Sequence, residues 1–512
     1  MLILISTYST GQSKDWGKHY YLIGNNEQII SCGVEAYDKG FFLVGFDFNG
    51  TYSDIRIYKT DINGNILWQS IIGNTILSPV LGGIVCTNDG GMAIAGSINK
   101  TDSTFDNFLM KITSCGEMEW CKIYDLNINQ YSDVSSILVL KNDDFVISAS
   151  VAIRFDSIGS YYENWTFCTD PNGNFKWHNF DNLQAQHLVK DKNDNILTTG
   201  LDYIPYPSQP STVWLHSGVN KTDSAGNVLW YSEYGLDHHI LCGGNATAQT
   251  NDNGYVTVGF KRGVNGNNDA IFLIKYDDAG KALWTKFIGD TTQEEWPIDM
   301  IRISDSTFLI SAATNDNVQN NFIYDLKLLI INSEGLVLKQ VIFRNPGHPW
   351  QFNNISATSD GKYLMTAEEG YINGDSLLAL KFNQNLELDT FYTHDTNKYD
   401  YLCSHKINPD SIIHFFSNDT VHITVPFPDT TRRQGFLIYP NPTSGNLNIQ
   451  CPGNSSATAI VYDILGRQIR QYSFVPGGLG IAEINLGPIA PGIYVFVFTQ
   501  NGKRYVQKVV VE

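Results

Sequence analysis

The chain has 512 residues and a formal net charge of −18, from 34 Lys and Arg against 52 Asp and Glu. A chain of this length exceeds a single hydrophobic core, so two or more domains are expected. The acidic balance repels phosphate backbones and argues against binding to DNA or RNA. No apolar run approaches the roughly 18 residues of a membrane span, so the sequence predicts no transmembrane helix.

Residues 1–12 are predicted to be a truncated signal peptide. They have an apolar core and a small-residue end but lack the basic region that opens a complete signal. The alternative is that they form the first β-strand of the mature fold. We favour a signal whose start lies upstream, because the other end of the chain also carries features of an exported protein.

Residues 13–425 are predicted to form a β-propeller, because a repeat of about fifty residues fills this region. One frame of the repeat is an apolar residue followed four positions later by a small residue, as in Phe41 and Gly45. Its copies begin at Phe41, Met92, Phe145, Ile196, Tyr255, Phe308 and Tyr363, with a weaker copy at Ile412.

A second frame places a turn glycine four residues before a tryptophan. The tryptophans are Trp68, Trp120, Trp177, Trp230 and Trp284, and the frame degenerates in the last copies. We expect each tryptophan to pack between adjacent blades near the outside. A short alternating segment lies between the two frames, so each repeat supplies the four strands of a propeller blade.

The ends of the repeat region favour eight blades, with seven as the alternative. Residues 14–21 look like a lone fourth strand, and residues 401–427 look like three strands that lack a fourth. Pairing these segments would close the ring and remove its exposed edges. The repeats resemble those of exported Bacteroidetes propeller proteins, and this resemblance concerns the fold and not an activity.

Eight cysteines occur, and an exported protein can oxidise them. Cys115 and Cys121 flank a predicted hairpin and are the expected local pair. The absence of a Cys-x-x-Cys motif argues against a zinc ribbon or a thioredoxin-type site.

The propeller region carries no common catalytic signature. His-Glu-x-x-His, Gly-x-Ser-x-Gly and the phosphate-binding loop motif are all absent, so we assign no catalytic residue, metal ligand or cofactor. Acidic segments such as 61–65 and 191–195 resemble calcium loops in part. We interpret them as turns, because they recur with the repeat and lack the full ligand spacing.

Three segments form the candidate ligand surface, and the first of them, residues 237–239, breaks the repeat pattern. They follow the outer strands of consecutive repeats, so we expect them on one face of the ring. Their aromatic and acidic residues suit a sugar, although exposed loop residues of no special function are the simpler interpretation. The candidates are Asp237, His238, His239, Glu294, Glu295, Trp296, His348 and Trp350.

Residues 426–435 are predicted to be a short linker, and residues 436–512 a small Ig-like β-sandwich. The latter contain Pro-Asn-Pro, Tyr-Asp-x-x-Gly-Arg and Pro-Gly-Ile-Tyr motifs in that order and end in Lys-Val-Val-Val. In this they resemble the C-terminal sorting domain of the Bacteroidetes type IX secretion system. The resemblance implies a sorting role for Pro440, Asn441, Pro442, Gly445, Gly466, Arg467, Gly492, Tyr494 and Lys508.

The sequence therefore indicates a secreted or cell-surface protein that reaches its destination through the periplasm and has the type IX machinery as a partner. The propeller is expected to bind a glycan, peptide or protein whose identity the sequence does not reveal. One alternative is an exported polysaccharide hydrolase or lyase, which would need carboxylates that converge in a central pocket. A second is a structural or adhesive surface module.

Overall fold

The computed structural model describes residues 15–20, 27–48, 53–73, 78–99, 105–126, 131–156, 159–206, 209–235, 242–262, 269–289, 294–315, 324–344, 350–369, 376–392, 394–403, 410–414, 420–423, 437–439, 443, 445–450, 455–464, 466–475, 481–500 and 503–511. Within these ranges the regular elements are all β-strands. The chain divides into two units whose main boundary lies between Ile423 and Thr424.

The first unit is a β-propeller, as the repeat predicts. Its first strand is β1 (Gly17–Tyr20), and its blades follow in chain order. Blade 1 contains β2 (Glu27–Glu35), β3 (Phe41–Phe48), β4 (Ser53–Thr60) and β5 (Ile66–Gly73); blade 2 contains β6 (Ser78–Cys86), β7 (Met92–Asn99), β8 (Phe105–Ile112) and β9 (Met118–Asp125); blade 3 contains β10 (Ser132–Val139), β11 (Phe145–Asp156), β12 (Gly159–Thr169) and β13 (Phe175–Asp181).

The next three blades repeat this plan, and the seventh supplies three strands of its own. Blade 4 contains β14 (Leu183–Lys190), β15 (Ile196–Tyr206), β16 (Gln209–Thr222) and β17 (Val228–Tyr234); blade 5 contains β18 (Cys242–Gln249), β19 (Tyr255–Lys261), β20 (Ala270–Tyr276) and β21 (Ala282–Ile288); blade 6 contains β22 (Glu294–Arg302), β23 (Thr307–Asn315), β24 (Asp325–Asn332) and β25 (Val337–Phe343); blade 7 contains β26 (Trp350–Ala357), β27 (Tyr363–Glu369) and β28 (Ser376–Phe382). The first strand of each blade contacts that of the next, and β26 contacts β2, so these strands surround a central axis.

The described residues form seven blades, and the expectation of an eighth was wrong. Strand β1 pairs antiparallel with β28, from Gly17 opposite Leu380 to Tyr20 opposite Leu377, and thereby completes blade 7. The segments β29 (Asp410–His414) and β30 (Thr420–His422) form no sheet of their own. They add in parallel to β5 and β9, the outer strands of blades 1 and 2. Local strand propensity identified these segments as strands. They were expected to form an eighth blade with β1, but β1 pairs with β28 of the last repeat instead.

The tryptophans join neighbouring blades, as expected. A Cβ atom placed on Gly116 of blade 2 would lie 2.8 Å from the ring of Trp68 in blade 1, and the same contact recurs between each consecutive pair of blades up to blade 6. In blade 7 the tryptophan comes from the N-terminal segment. Trp16 is fully buried, covers Gly64, and donates a hydrogen bond from Nε1 to the Ile62 carbonyl at 2.9 Å. The same contact therefore closes the ring between blades 7 and 1.

Most blades contain a buried lysine near the end of the third strand, and its ion pair links two parts of the same blade. It pairs with an aspartate in the turn between the first two strands, as Lys59 does with Asp38 at 2.7 Å, both side chains being fully buried. A buried charge is tolerated when it is paired in this way. The other pairs are Lys111–Asp89, Lys221–Asp191, Lys275–Asp252 and Lys381–Asp360.

A segment after blade 7, residues 391–392 and 394–403, runs across the turns of blades 1 and 2, and we call it the strap. Its Tyr392 N–H donates to Asn63 Oδ1 at 2.7 Å, and its Asp400 N–H donates to Asp38 Oδ2 at 2.9 Å. The strap ends in a disulfide between Cys403 and Cys115. The expected Cys115–Cys121 pair was therefore wrong, and Cys121 is buried and lies outside this disulfide. Two cysteines on one hairpin were the obvious local choice, but the actual partner is 288 residues away.

The second unit is a small β-sandwich. One sheet contains β31 (Leu437–Tyr439), β32 (Asn446–Gln450) and β35 (Ile481–Asn485), and the other contains β33 (Ala457–Asp463), β34 (Gln468–Phe474), β36 (Gly492–Gln500) and β37 (Lys503–Val511). Alternate residues of both sheets meet in one core, which includes Ile449 and Phe496. This alternation of buried and exposed positions is what two packed antiparallel sheets require.

Candidate functional site

The two ends of the propeller differ in their connections. Strands alternate in direction, so the turns after the first and third strands of every blade lie at one end, the turn face. The connections after the second strand and between blades lie at the other end, the loop face. Turn-face connections are tight and conform to one pattern. Asp61 Oδ1, for example, accepts the N–H groups of Asn63 and Asn65 at 2.9 and 2.8 Å.

The acidic segments form hydrogen-bonded turns in the described structure. Asp191 accepts the N–H groups of Asn193 and Asn195 and the side-chain amide of Asn195, as Asp61 does in blade 1. These donors hold the pKa of Asp191 below its usual value, against the opposing effect of burial. Among the residues that the structure describes, no group of three or more His, Cys, Asp or Glu side chains is arranged to hold a metal ion.

The loop face of blades 5 and 6 carries the best-defined candidate surface. Trp296, the third residue of β22, is half-buried and stacks on Phe260 of β19, with ring centroids 4.1 Å apart and planes inclined by 19°. Phe260 is only 2% exposed and supports the indole from within the fold. The inner strand of blade 6 thus holds an aromatic ring in a fixed orientation at the loop face.

Charged and phenolic groups flank this aromatic pair. Arg262, at the end of blade 5's second strand, directs Nε to Asp269 Oδ1 at 3.3 Å. Burial raises the pKa of the nearby Tyr324 hydroxyl, and the carboxylates of Glu294 and Asp269 raise it further. We call Arg262, Asp269, Glu294, Trp296 and Tyr324 the blade 5–6 patch. It combines an aromatic face with donors and acceptors, which is the composition of a site for a polar ligand.

Glu295 serves the fold beneath this patch. Its side chain is 1% exposed and forms an ion pair with Lys327 of β24, which is 3% exposed. Its N–H donates to the Asp269 carbonyl at 2.7 Å, which ties β22 to blade 5. The carboxylate is therefore already neutralised and is not presented to solvent. The ion pair with Lys327 was not predicted from the sequence, because Lys327 lies on a different strand of the repeat from Glu295.

The structure describes only some of the other predicted surface residues. Asp237, His238, His239 and His348 lie outside the described residues. Trp350 is the first residue of β26 and pairs with Glu369, at the position that Glu295 occupies in blade 6. The backbone thus brings the Glu294–Trp296 segment and Trp350 to the same end of adjacent inner strands.

One equivalent position recurs on the first strand of every blade. Each inner strand contains a bulge, and the residue after it forms what we call the axial ring: Cys32, Gly83, Ser136, His187, Ala246, Asp299 and Asn354. His187 Nε2 lies 3.7 Å from Asp299 Oδ1, although blade 5 separates their blades. This contact therefore links two blades that are not neighbours in the ring. The sequence gives no linear signal for it, because only the bulge register aligns the two positions.

The titratable side chains of the axial ring are not poised for nucleophilic catalysis. Burial lowers the pKa of His187, and Asp299 opposes this effect without reversing it, so the imidazole is neutral near pH 7. Burial raises the pKa of the Cys32 thiol to about 12, and Asp299 contributes further, so the thiol stays protonated. The axial ring also holds a single carboxylate, whereas a glycoside hydrolase generally uses a pair.

The predicted sorting residues that the structure describes occupy turns and strands of the sandwich. Gly466 has φ of +77°, and Arg467 pairs with Asp463 at 2.7 Å in the same turn. Tyr494 in β36 donates its hydroxyl to the Ala490 carbonyl at 2.7 Å. Gly445 and Gly492 also have positive φ, and Lys508 lies on β37. Pro440, Asn441 and Pro442 lie outside the described residues.

The sandwich matches a known family. Residues 437–512 match the family described as secretion system C-terminal sorting domain. This match implies that the protein is exported from the cell. It covers the second unit and makes no statement about the propeller. No helix in the described part of the chain has the length and apolar character to cross a membrane.

The propeller is similar to solved structures in fold alone. The polysaccharide lyase Uly1 is 9% identical, with a TM-score of 0.42, over 74% of this chain and 94% of that one. The acylaminoacyl peptidase of Pyrococcus horikoshii is 10% identical, with a TM-score of 0.40, over 83% and 57%. The α-L-arabinanase of Penicillium chrysogenum is 10% identical, with a TM-score of 0.36, over 69% and 97%. No curated protein sequence matches the chain.

Proposed function

We propose that the protein is exported by the type IX secretion system and that its propeller binds a ligand at the loop face. The observation that carries the proposal for the propeller is the half-buried Trp296 ring supported by Phe260. Aromatic rings fixed in this way bury a large apolar area and orient a ligand by its flat face. Glycans, peptides and proteins all offer such surfaces, and the blade 5–6 patch adds polar partners beside the ring.

The surroundings of Glu295 and of the axial ring favour binding over hydrolysis. Glu295, the acidic residue next to Trp296, is buried against Lys327, so it is not available as a general acid or base. The axial ring supplies one carboxylate and a neutral imidazole, not two facing carboxylates. Both observations support a binding module over the exported hydrolase or lyase.

A glycan array and a polysaccharide-hydrolysis screen on the purified protein test this proposal. We expect retained ligand without turnover, and we expect Trp296→Ala to weaken binding by about 2 kcal/mol, roughly thirtyfold in Kd. Tyr401→Ala is the matched control, because Tyr401 is 59% exposed but lies on the strap at the turn face. Equal loss in the two variants, or turnover of a glycan, would refute the binding site.

The export route is tested separately. We propose residues 1–12 as a signal peptide remnant, 13–425 as the propeller, 426–435 as a linker and 436–512 as the sorting domain. Removal of residues 436–512 is expected to leave a folded propeller in the periplasm, as measured by cell fractionation. Normal appearance of the truncated protein outside the cell would contradict the sorting role and would leave the binding proposal untouched.

A further inference from the structure

The four-stranded sheet of the sandwich has a second face, which points away from the core. Phe496 and Phe498 of β36 lie in the core, so Val497 between them lies on the opposite face. The register places Ile460 of β33 and Val506 of β37 on either side of Val497. We call the residues on this side of β33, β34, β36 and β37 the outer sheet face.

The outer sheet face is rich in apolar residues. Val506 is 64% exposed and Ile493 is 42% exposed. The partly exposed residues of the same face include Ile460, Tyr462, Val495 and Val497. In β35 of the other sheet, buried Ala482 and Ile484 flank the exposed Glu483, which is the usual alternation of a sheet with one solvated face. An apolar face in place of a polar one is a mark of an interaction site.

The charged residues of the outer sheet face are all basic. Arg504 and Lys508 of β37 are both exposed, and the described residues of this face include no Asp or Glu. The surrounding module is basic as well, because residues 437–512 hold five Lys and Arg against three Asp and Glu in a chain whose net charge is −18. A surface that carries carboxylates is therefore the complementary one.

The same charges argue against a second copy of this chain as the occupant. A symmetric dimer would bring each outer sheet face against its own equivalent. Arg504 and Lys508 of the two copies would then approach each other, and the described face offers no carboxylate to separate them. Like charges brought together in this way oppose association.

The size of the outer sheet face limits the strength of binding. Four strands about 4.8 Å apart, each paired over about six residues, present roughly 400 Å². Each partner in a stable complex contributes about 800 Å², so this face alone supplies about half of that area. Contact through it is therefore weak and reversible, which suits a signal that is recognised and then released.

We propose that the outer sheet face binds a partner protein through an apolar surface bordered by carboxylates. The apolar residues around Val497 supply the contact area, and Arg504 and Lys508 receive the carboxylates. The proposal rests on the proposed sorting role of residues 436–512. It adds which face of the module the export machinery contacts and the chemistry of the surface that makes the contact.

A short peptide that alternates tyrosine and glutamate is the probe for the charge requirement, and a tyrosine–serine peptide is the neutral control. In a fluorescence-anisotropy titration of the full-length protein, we expect the glutamate peptide to bind at least about tenfold more tightly, although the protein as a whole is acidic. The variant R504E/K508E is expected to lose this preference. K192E/K281E is the matched control, since it makes the same change in net charge at exposed lysines of the propeller. Equal binding of both peptides, or a preference that R504E/K508E retains, would overturn the proposal.

Export of the full-length protein tests the apolar part of the face. Val506→Glu is expected to lower the exported fraction at least about tenfold in cell fractionation, with an unchanged thermal unfolding curve because Val506 is exposed. Ile66→Glu is the matched control, since Ile66 is 49% exposed on blade 1 of the propeller.

The outcomes separate this face from the sorting role as a whole. Normal export of Val506→Glu, together with loss of export when residues 436–512 are removed, would keep the sorting role and overturn the face. Normal export of both would refute the sorting role and the face with it. A dimer in sedimentation that Val506→Glu abolishes would assign the face to a second copy and would also overturn the proposal.

Discussion

A tryptophan that packs over the turn glycine of the next blade is a recurring contact between neighbouring blades. Gly280 combines two demands, since its φ is +81° and a Cβ atom would lie 2.6 Å from the Trp230 ring. Trp230 also donates from Nε1 to the Asp278 carbonyl in the same turn at 2.8 Å. Glycine is needed there both for its backbone conformation and for the close approach of the indole.

Alanine substitutions at two glycines separate the effect of a positive φ from the effect of the close indole contact. We expect Gly280→Ala to destabilise the propeller by about 1–3 kcal/mol more than Gly361→Ala, because an overpacked contact adds to the strain of a positive φ. Gly361 has φ of +73°, but its added Cβ atom meets only the flexible tip of Gln384. Chemical denaturation of both variants measures the difference. Equal destabilisation would show that the Trp230 ring moves away from the added methyl group without a loss of stability.

At the scale of elements, the sequence predicted the interior of the propeller better than its ends. The four strands of each repeat, the tryptophan position and the turn aspartates follow from local patterns of apolar residues, glycine and side-chain capping. The partner of β1, the course of residues 401–423 and the Cys115–Cys403 link depend on which distant edges meet. Local patterns identified those segments as strands but contain no information about their partners.

The candidate site shows the same division. The segment Glu294–Trp296 was found because it lies in the loop equivalent to residues 237–239 one blade later, and its expected place on the same face followed from repeat phase. The burial of Glu295 by Lys327 and the stacking on Phe260 were not foreseen, because each depends on side chains brought together by three strands of two blades. A carboxylate next to a tryptophan looks like a ligand site in sequence whether or not a lysine neutralises it.

The strap gives a prediction at this scale. Cys403→Ser is expected to destabilise the propeller by about 2–4 kcal/mol, because the lost crosslink closes a long loop in the unfolded chain. Hydrogen exchange in residues 391–403 should become faster while the exchange of blades 4 and 5 stays unchanged. Reduction of the wild-type protein should reproduce the effect, and reduction of the variant should add nothing. A reductant that destabilises both proteins equally would contradict the assigned pair.

For the whole molecule, stability depends on closing the ring with a strand from the other end of the chain. Blade 7 has three strands of its own, and residues 15–20 provide both its fourth strand, β1, and the fully buried Trp16. Loss of this segment would expose the outer edge of blade 7 and uncover the Gly64 turn of blade 1. Closure is therefore a cooperative property of the ring and not of any one blade.

Two truncations test this property. Removal of residues 1–12 is expected to leave the unfolding temperature unchanged, since it spares β1. Removal of residues 1–20 also deletes Trp16, whose burial alone is worth about 3–5 kcal/mol, and it opens an edge that favours aggregation. Thermal unfolding and size-exclusion chromatography distinguish the outcomes. Equal behaviour of the two truncations would mean that the ring closes without β1.

The course of the chain beyond blade 7 also determines where a mechanical load would act. The polypeptide passes from blade 7 along the strap to the disulfide at Cys403, and only then to β29 and β30. A pull on the C-terminal end would shear the short parallel strand β30 from blade 2 and then β29 from blade 1. The force would next reach a covalent bond to Cys115. Tension from a tethered tail would thus be taken up by blade 2 and would spare the seam at which β1 closes the ring.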